Sequence, residues 1–222
     1  MKILQILIFA SACTLSHSVL AISSVDMRLE HETWNTGING KTTAYLLGLG
    51  GTHSFNPSWL LTGGFITGKH ENKNSTQDSL KRIDVDVALG YRVFPKIAIF
   101  SGYRLVRIEY ENTLSSSRSF TDLTHGFGAG ISGYQSITLN TLIYARLGLS
   151  GLLSTLKSEK TGTDRGLGLS TSLEAGVVYQ LIENTNLGFS IKLQNTSIDY
   201  RGDSEKWNHN YIRLGLSLSH YF

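Results

Sequence analysis

The sequence predicts an all-β protein: a transmembrane antiparallel up-and-down β-barrel of ten strands, with eight as the alternative count. Three observations predict it. Segments in which apolar and polar residues alternate one by one recur roughly every 20 residues, and a period of two is the strand period. The connections between these segments alternate between short and long. Past residue 21, no apolar run approaches the roughly 20 residues a membrane-spanning helix needs.

The amino end carries its own signal. Met1-Lys2 is a short basic start, residues 3–15 are largely apolar, and Val19-Leu20-Ala21 is a small-residue cleavage signal. This is the layout of a secretory signal peptide cut after Ala21, which divides the chain into a signal segment, 1–21, and one barrel domain, 22–222. A membrane anchor fits less well, because the apolar core is too short to span. A lipoprotein signal with Cys13 as the lipidated residue is a further alternative, but Ala10-Ser11-Ala12 lacks the usual leading Leu. Cys13 is the chain's one cysteine. Its removal leaves no disulfide or thiol chemistry in an oxidising compartment. Loss of Lys2 takes the formal charge from +3 to +2, too little to point to nucleic acid. Hydrophobic residues make up 41%, which suits a barrel in which only alternate residues meet lipid.

Taken in order, predicted strand 1 (25–34) sets Val25, Met27 and Leu29 against Asp26, Arg28, Glu30 and Glu32. Strand 2 (43–52) aligns Tyr45, Leu47 and Leu49, and strand 3 (59–69) aligns Trp59, Leu61 and Phe65. Strand 4 decides the phase. Ile83, Val85, Val87, Leu89, Tyr91 and Val93 alternate with Asp84, Asp86, Ala88, Gly90 and Arg92. A basic residue facing mid-bilayer costs about 2–4 kcal/mol and an acid somewhat less, so the aliphatic face is predicted outside and the charged face inside. A soluble β-sandwich or lipocalin-like barrel would reverse this and bury charges in an aliphatic core.

Strand 5 (97–110) puts Ile97, Ile99, Tyr103 and Leu105 outward and Arg104 inward; Val106 and Ile108 then point inward, which suggests a bulge or an end above the bilayer. Strand 6 lies near 125–134. Strand 7 sets Ile143, Ala145, Leu147 and Leu149 outside and Tyr144 and Arg146 inside. Strand 8 sets Leu169, Leu173, Ala175, Val177 and Tyr179 outside and Glu174 inside. Strand 9 sets Leu187, Phe189, Ile191 and Leu193 outside and Lys192 and Gln194 inside. Strand 10 sets Ile212, Leu214, Leu216, Leu218 and Phe222 outside and Arg213 inside.

The connections at 55–58, 94–96, 136–140 and 182–184 are short, and both prolines, Pro57 and Pro95, sit in them. There a missing N–H costs no ladder bond. Those at 35–42, 71–79, 111–124, 157–166 and 201–208 are longer and polar. Short periplasmic turns and longer outside loops are the asymmetry of outer-membrane barrels. Phe55, Trp59, Tyr91, Phe94, Tyr134, Tyr179 and Phe222 fall beside short turns or the terminus, and Trp34, Tyr45, Tyr110, Tyr200, Trp207 and Tyr211 near long loops. This predicts two interfacial aromatic belts.

No catalytic motif or metal-ligand spacing emerges. Residues 126–130 (GFGAG) lack the strand–helix context of a dinucleotide loop; these glycines, with Gly48 and Gly50, are expected to make room on strand faces. His31-Glu32-Thr33-Trp34-Asn35 lacks the second His of a zinc-protease motif. Thr52-His53-Ser54 abuts a short turn, the wrong side for a lipid A deacylase. An omptin-type protease would need its acids and histidine at the extracellular rim. The rim offers Asp78, Asp122, Asp164, Asp199, Asp203, His70, His125 and His209, without a surrounding motif. The informative constellation is the predicted lumen set: Asp26, Glu30, Asp84, Asp86 and Glu174 against Arg28, Arg92, Arg104, Arg146, Lys192 and Arg213. Its near-balance favours a paired, filled interior over a charge-lined pore. Arg213 takes Glu30 as its chief expected partner across the closing seam.

The signal, the strand rhythm, the loop asymmetry and the terminal Phe222 together resemble the small single-domain outer-membrane β-barrels of Gram-negative bacteria, of the porin-like and opacity-type kind. The resemblance implies residence in the cell outer membrane and assembly by the barrel-assembly machinery with Phe222 as part of the signal. It also implies contact with outer-membrane lipid and lipopolysaccharide. It implies no cofactor, metal or nucleic acid, and carries over no catalytic residue. The leading expectation is a non-enzymatic barrel with a structural or surface-loop interaction role. Alternatives are a narrow channel for small polar solutes and an outer-membrane hydrolase of lipid A or peptides. Deleting Phe222 is expected to lower the membrane-inserted, heat-modifiable fraction on gels, and normal insertion would contradict the signal reading.

Overall fold

The computed structural model describes residues 23–36, 40–71, 78–112, 119–158, 162–201 and 207–222. The signal segment with Cys13 and Ala21, the loop residues 72–77 and 113–118, and Asp203 lie outside the described residues.

The described residues form ten strands: β1 (Ser23–Thr36), β2 (Gly40–Ser54), β3 (Trp59–Glu71), β4 (Asp78–Phe94), β5 (Ile97–Asn112), β6 (Phe120–Ser136), β7 (Thr141–Ser158), β8 (Gly162–Ile182), β9 (Thr185–Tyr200) and β10 (Trp207–Tyr221). Each pairs antiparallel with its sequence neighbours, and β10 returns to β1 to close the sheet. Closure is what lipid demands, because hydrocarbon cannot hydrogen-bond an exposed strand edge. At the seam, the Phe222 N–H donates to the Ser23 carbonyl at 2.8 Å.

The predicted phase holds. On β4, Val85, Val87, Leu89 and Tyr91 lie exposed on the outer wall while Arg82 and Asp84 are buried inside. The same alternation on β10 exposes Ile212, Leu214, Leu216 and Leu218 and buries Arg213. An aliphatic exterior around a charged interior is the polarity of a membrane-spanning barrel.

The strands are taller than the sequence suggests. They run from 13 to 21 residues, whereas crossing the bilayer takes about 9–11. The surplus lies at the ends that carry the long connections. Pairing continues to Thr36↔Gly40, Tyr110↔Phe120 and Ser158↔Gly162. The described parts of the predicted loops 35–42, 111–124 and 157–166 are thus strand, Ser119 excepted. The reason is physical: above the lipid the outer face is no longer apolar. Asn208 and Asn210 precede Ile212 on β10, and Arg165 precedes Leu167 on β8. The alternation signal fades there while the ladder and the inward packing persist. The bulge suggested near Val106 and Ile108 is absent. Leu105↔His125 through Ile108↔Asp122 pair without a break, and the register shifts sit beside short turns, at Arg92/Phe94 and Gln180/Ile182.

One aromatic belt is present and the other is corrected. Phe55, Trp59, Tyr91, Phe94, Tyr134, Tyr179 and Phe222 are all exposed at the short-turn end. At the other end Tyr45 is exposed, but Trp34, Tyr200 and Tyr211 are only 2%, 2% and 5% exposed. Their even or odd positions place them on the inward face of their strands, alongside Glu32, Ile198 and Arg213. They form a lid inside the barrel.

The lumen is therefore layered. Nearest the extracellular mouth, Trp34, Leu80, Ile108 and Tyr211 pack together, and Leu156, Ile198 and Tyr200 form a second cluster beside them. Beneath lies a buried ionic layer. Below that the lumen is less tightly closed, and Asp86 and Arg146 are exposed. Glycines on this inner face make room for large neighbours. A Cβ on Gly50 would stand 2.8 Å from Asp26 Oδ2 and 3.0 Å from Arg28 Nη2, and one on Gly90 would collide with the ring of its cross-strand partner Phe100.

Candidate functional site

The ionic layer is the densest chemical constellation among the described residues. Asp84 on β4 is its hub. The Arg82 guanidinium clasps it with two bonds, Nε to Oδ1 at 2.8 Å and Nη2 to Oδ2 at 3.0 Å. Arg104 on β5 adds Nη2 to Oδ2 at 2.7 Å, and Arg213 on β10 adds Nη2 to Oδ2 at 2.9 Å. The second acid is Glu32 on β1. It accepts from Arg82 Nη1 at 2.9 Å, and Arg213 Nε closes on its other oxygen. Glu30 lies 3.6 Å from Arg213 Nη1. Three carboxylates thus face three guanidiniums. Such neutrality is what lets charges sit where water does not reach.

Secondary contacts brace the layer. Arg104 Nη1 donates to Gln194 Oε1 at 2.8 Å, and Gln194 in turn donates to the Ser170 and Thr196 hydroxyls. The Arg82 guanidinium lies over the Tyr211 ring at 4.2 Å, joining the ions to the lid above. His70 on β3 is 3.1 Å from Glu32 Oε1 through Nε2 and 3.3 Å from Thr42 Oγ1 through Nδ1. Thr42, His70 and Glu32 follow the order of a hydroxyl–imidazole–carboxylate relay, but His70 Nε2 makes no hydrogen bond. Yet all three are buried, and Glu32 is already engaged by two guanidiniums. The arrangement acts as a brace.

The predicted lumen residues divide between two levels. Glu30, Asp84, Arg104 and Arg213 join the buried layer. Asp26 and Arg28 pair with each other lower down. Glu174 accepts from the Tyr144 hydroxyl at 2.8 Å. Its strand neighbours are Arg146 and Lys192, and Arg146 stands over the Tyr144 ring at 5.3 Å. Asp86 is exposed at this level and stands close to Gly64. Arg92 is corrected: its guanidinium donates to the Pro57 carbonyl at 2.7 Å, at the periplasmic turn and away from the network. The expected Arg213–Glu30 pair is a secondary contact, because Arg213 stands directly opposite Glu32 in the ladder and Glu30 opposite Gly215.

Sequence reasoning omitted the two most deeply buried members. Glu32 lies on the charged face of predicted strand 1 but is not in the predicted lumen set. Arg82 lay one residue before the predicted start of strand 4. Extending the Asp84–Asp86 alternation backwards by one step finds it.

Among the described residues, the candidate rim groups do not assemble into a reaction centre; Asp203 and the side chain of Asp78 lie outside them. Asp122 is buried and accepts from the hydroxyls of Ser154, of Tyr200 at 3.1 Å and of Thr124 at 3.2 Å. His209 is buried in the lid, and neither ring nitrogen has a hydrogen-bond partner among the described residues. His125 and Asp199 fall on the outward face of their strands, by alternation with Asp122 and Ile198. His53 Nδ1 meets the Ser23 hydroxyl at 2.8 Å, and the Ser54 hydroxyl donates to the Asn56 carbonyl at 3.3 Å, so that pair caps a turn. Among the described residues no group of three or more His, Cys, Asp or Glu is arranged to hold a metal ion.

Solved outer-membrane barrels share this architecture. The outer membrane protease OmpT from Escherichia coli aligns with a TM-score of 0.61 at 11% identity, over 95% of this chain and 99% of that one. The beta domain of the Bordetella autotransporter BrkA aligns at 0.53 and 11% identity, over 90% of this chain and 99% of that one. Neisserial surface protein A aligns at 0.44 and 15% identity, over 90% and 97%. No protein-family model matches the chain, and no curated protein does. The chain has the fold of the Gram-negative outer-membrane β-barrels, and its apolar girdle is that of a protein spanning such a membrane.

The network predicts a sharp contrast in stability. Removing one partner of a buried ion pair costs about 3–5 kcal/mol, because the other charge is stranded. Arg213→Ala is expected to lose that much unfolding free energy in denaturant titrations of the folded barrel in detergent micelles. Arg92→Ala is expected to lose less than about 1 kcal/mol, the worth of an exposed contact.

Proposed function

We propose that this protein is a non-enzymatic, non-conducting outer-membrane barrel whose role is structural, holding its extracellular strand ends and loops as a rigid platform for surface interaction. One observation carries the reading: the upper lumen is crossed by the Glu32–Arg82–Asp84–Arg213 layer, with Trp34 and Tyr211 packed above it. A conducting pore needs hydrated, weakly held charges along its path, and these side chains are buried and engaged with one another. The dispersal of the rim acids and histidines supports the non-enzymatic part. OmpT is a protease on a similar barrel, but fold alone does not transfer activity.

The narrow-channel reading draws on a specific feature, the exposure of Asp86 and Arg146 in the lower lumen. In our reading this is a vestibule open towards the periplasm and closed above. Insertion by the barrel-assembly machinery is part of the same proposal.

Planar-bilayer recordings of the purified barrel are expected to show no sustained openings. Sustained openings whose ion selectivity changes with Arg146→Ala would overturn the closed-lumen reading in favour of the channel. Cells overproducing the protein are expected to give unchanged lipid A mass spectra and no cleavage of added peptides; a new lipid A species or peptide fragment would overturn the non-enzymatic reading.

A further inference from the structure

We propose that the outer wall of β2–β5, at the level where lipid gives way to headgroups, binds the phosphates of lipopolysaccharide through Lys69, Lys81 and Arg107, with Tyr45 beside them. Charge on the outer wall is placed for this whether or not the lumen conducts.

Lys69 and Lys81 are direct cross-strand partners, and both point outward and are exposed. Like charges directly opposite each other destabilise an antiparallel pair, so the arrangement calls for an anion between them. Arg107 faces outward one step along on β5, opposite Ile83, which lies two residues from Lys81. Among the described residues a single carboxylate pairs with this group. Glu109 stands 4.0 Å from Lys81 and 2.5 Å from Arg107. Lys69 has no such partner among them. Glu111 lies two residues beyond Glu109, farther from the bilayer, and Glu71 two beyond Lys69.

The surroundings fit a lipid headgroup. Tyr45 is the ladder partner of Lys69, is 72% exposed and packs edge-on against His31 at 5.2 Å. Exposed tyrosines at this height mark the membrane interface. On the bilayer side of the cations, Phe65, Val85 and Leu105 face outward in adjoining strands, a wall for acyl chains. The cluster sits at the end of the barrel that carries the long connections, hence in the outer leaflet. There the phosphorylated headgroup is that of lipopolysaccharide. Three cations on adjoining strands can meet phosphate oxygens by charge-assisted hydrogen bonds, and a guanidinium such as that of Arg107 can offer two at once.

The test measures binding of purified lipopolysaccharide to the detergent-solubilised barrel, alongside phosphatase-treated lipopolysaccharide and phosphatidylglycerol micelles. The triple variant Lys69→Gln/Lys81→Gln/Arg107→Gln is expected to bind lipopolysaccharide about tenfold or more weakly, with heat modifiability retained as evidence of folding. Lys157→Gln, on β7, is expected to bind normally. The charge-keeping variant Lys69→Arg/Lys81→Arg is expected to retain binding. Undiminished binding by the triple variant would overturn the proposal. So would equal binding of the phosphatase-treated form, or phosphatidylglycerol bound as tightly as lipopolysaccharide.

Discussion

A carboxylate sealed from water must find its donors in the protein, and most of this barrel is arranged around meeting that demand at Asp84. Three guanidiniums reach it from β4, β5 and β10. Two of them, Arg82 and Arg213, also hold Glu32 on β1. Strands β4 and β10 are not neighbours in the closed sheet, so these bonds are struts across the lumen as well as pairings along the wall. The same contacts do two things. They fix the cross-section of the barrel, and they occupy the space through which a solute would pass.

The struts explain why the lid is aromatic. Arg82 is buried and charged, and its upper face needs a neighbour that tolerates a cation without adding another charge. Tyr211 provides its ring face at 4.2 Å, and Trp34 stacks on Tyr211 at 5.6 Å. An aromatic face attracts a guanidinium through its quadrupole while presenting apolar bulk to the mouth. The ionic layer and the lid are therefore one packed unit. Removing an aromatic ring from the lid exposes the ions to water, and removing an arginine leaves both an acid and a ring face unpartnered.

The strand phase was legible in the sequence because mid-bilayer chemistry leaves little choice: Asp84, Asp86 and Arg213 cannot face lipid when Val85, Val87 and Leu214 can. The strand count followed from the turns, with Pro57 and Pro95 marking two of them. The upper third was not legible, for one physical reason. Above the lipid, outward positions such as Asn210, Arg165 and Lys81 are polar while inward positions such as Trp34, Ile108 and Tyr200 are apolar. The rule that reads the membrane zone reverses there. Hence Trp34, Tyr200 and Tyr211 looked like an interfacial belt, and β6–β8 looked shorter than they are. Arg82 lies at that same boundary, where the charged inward set gives way to the apolar one. Partners across the lumen, such as Arg82 with Glu32, join residues far apart in the chain and in the sheet, and only the closed geometry brings them together.

Exposure and pairing vary together down the lumen, and that gradient has a direction. In the upper half, where the lid excludes solvent, Glu32, Asp84, Arg82 and Arg213 are tied by short, multiple bonds. In the lower half, Asp86 and Arg146 are exposed, Arg28 keeps a third of its side chain accessible, and contacts are fewer. Hydrated charges need no protein partner, whereas buried ones do. The pattern is that of a tube whose charges are sealed towards its outer end and, at Asp86 and Arg146, accessible towards its inner end. A stopper placed there stiffens the part of the barrel that projects beyond the lipid, where no bilayer holds the strands in place. Strand ends so braced keep fixed relative positions. On the proposed function, the ionic layer serves these outer strand ends more directly than the lumen it fills.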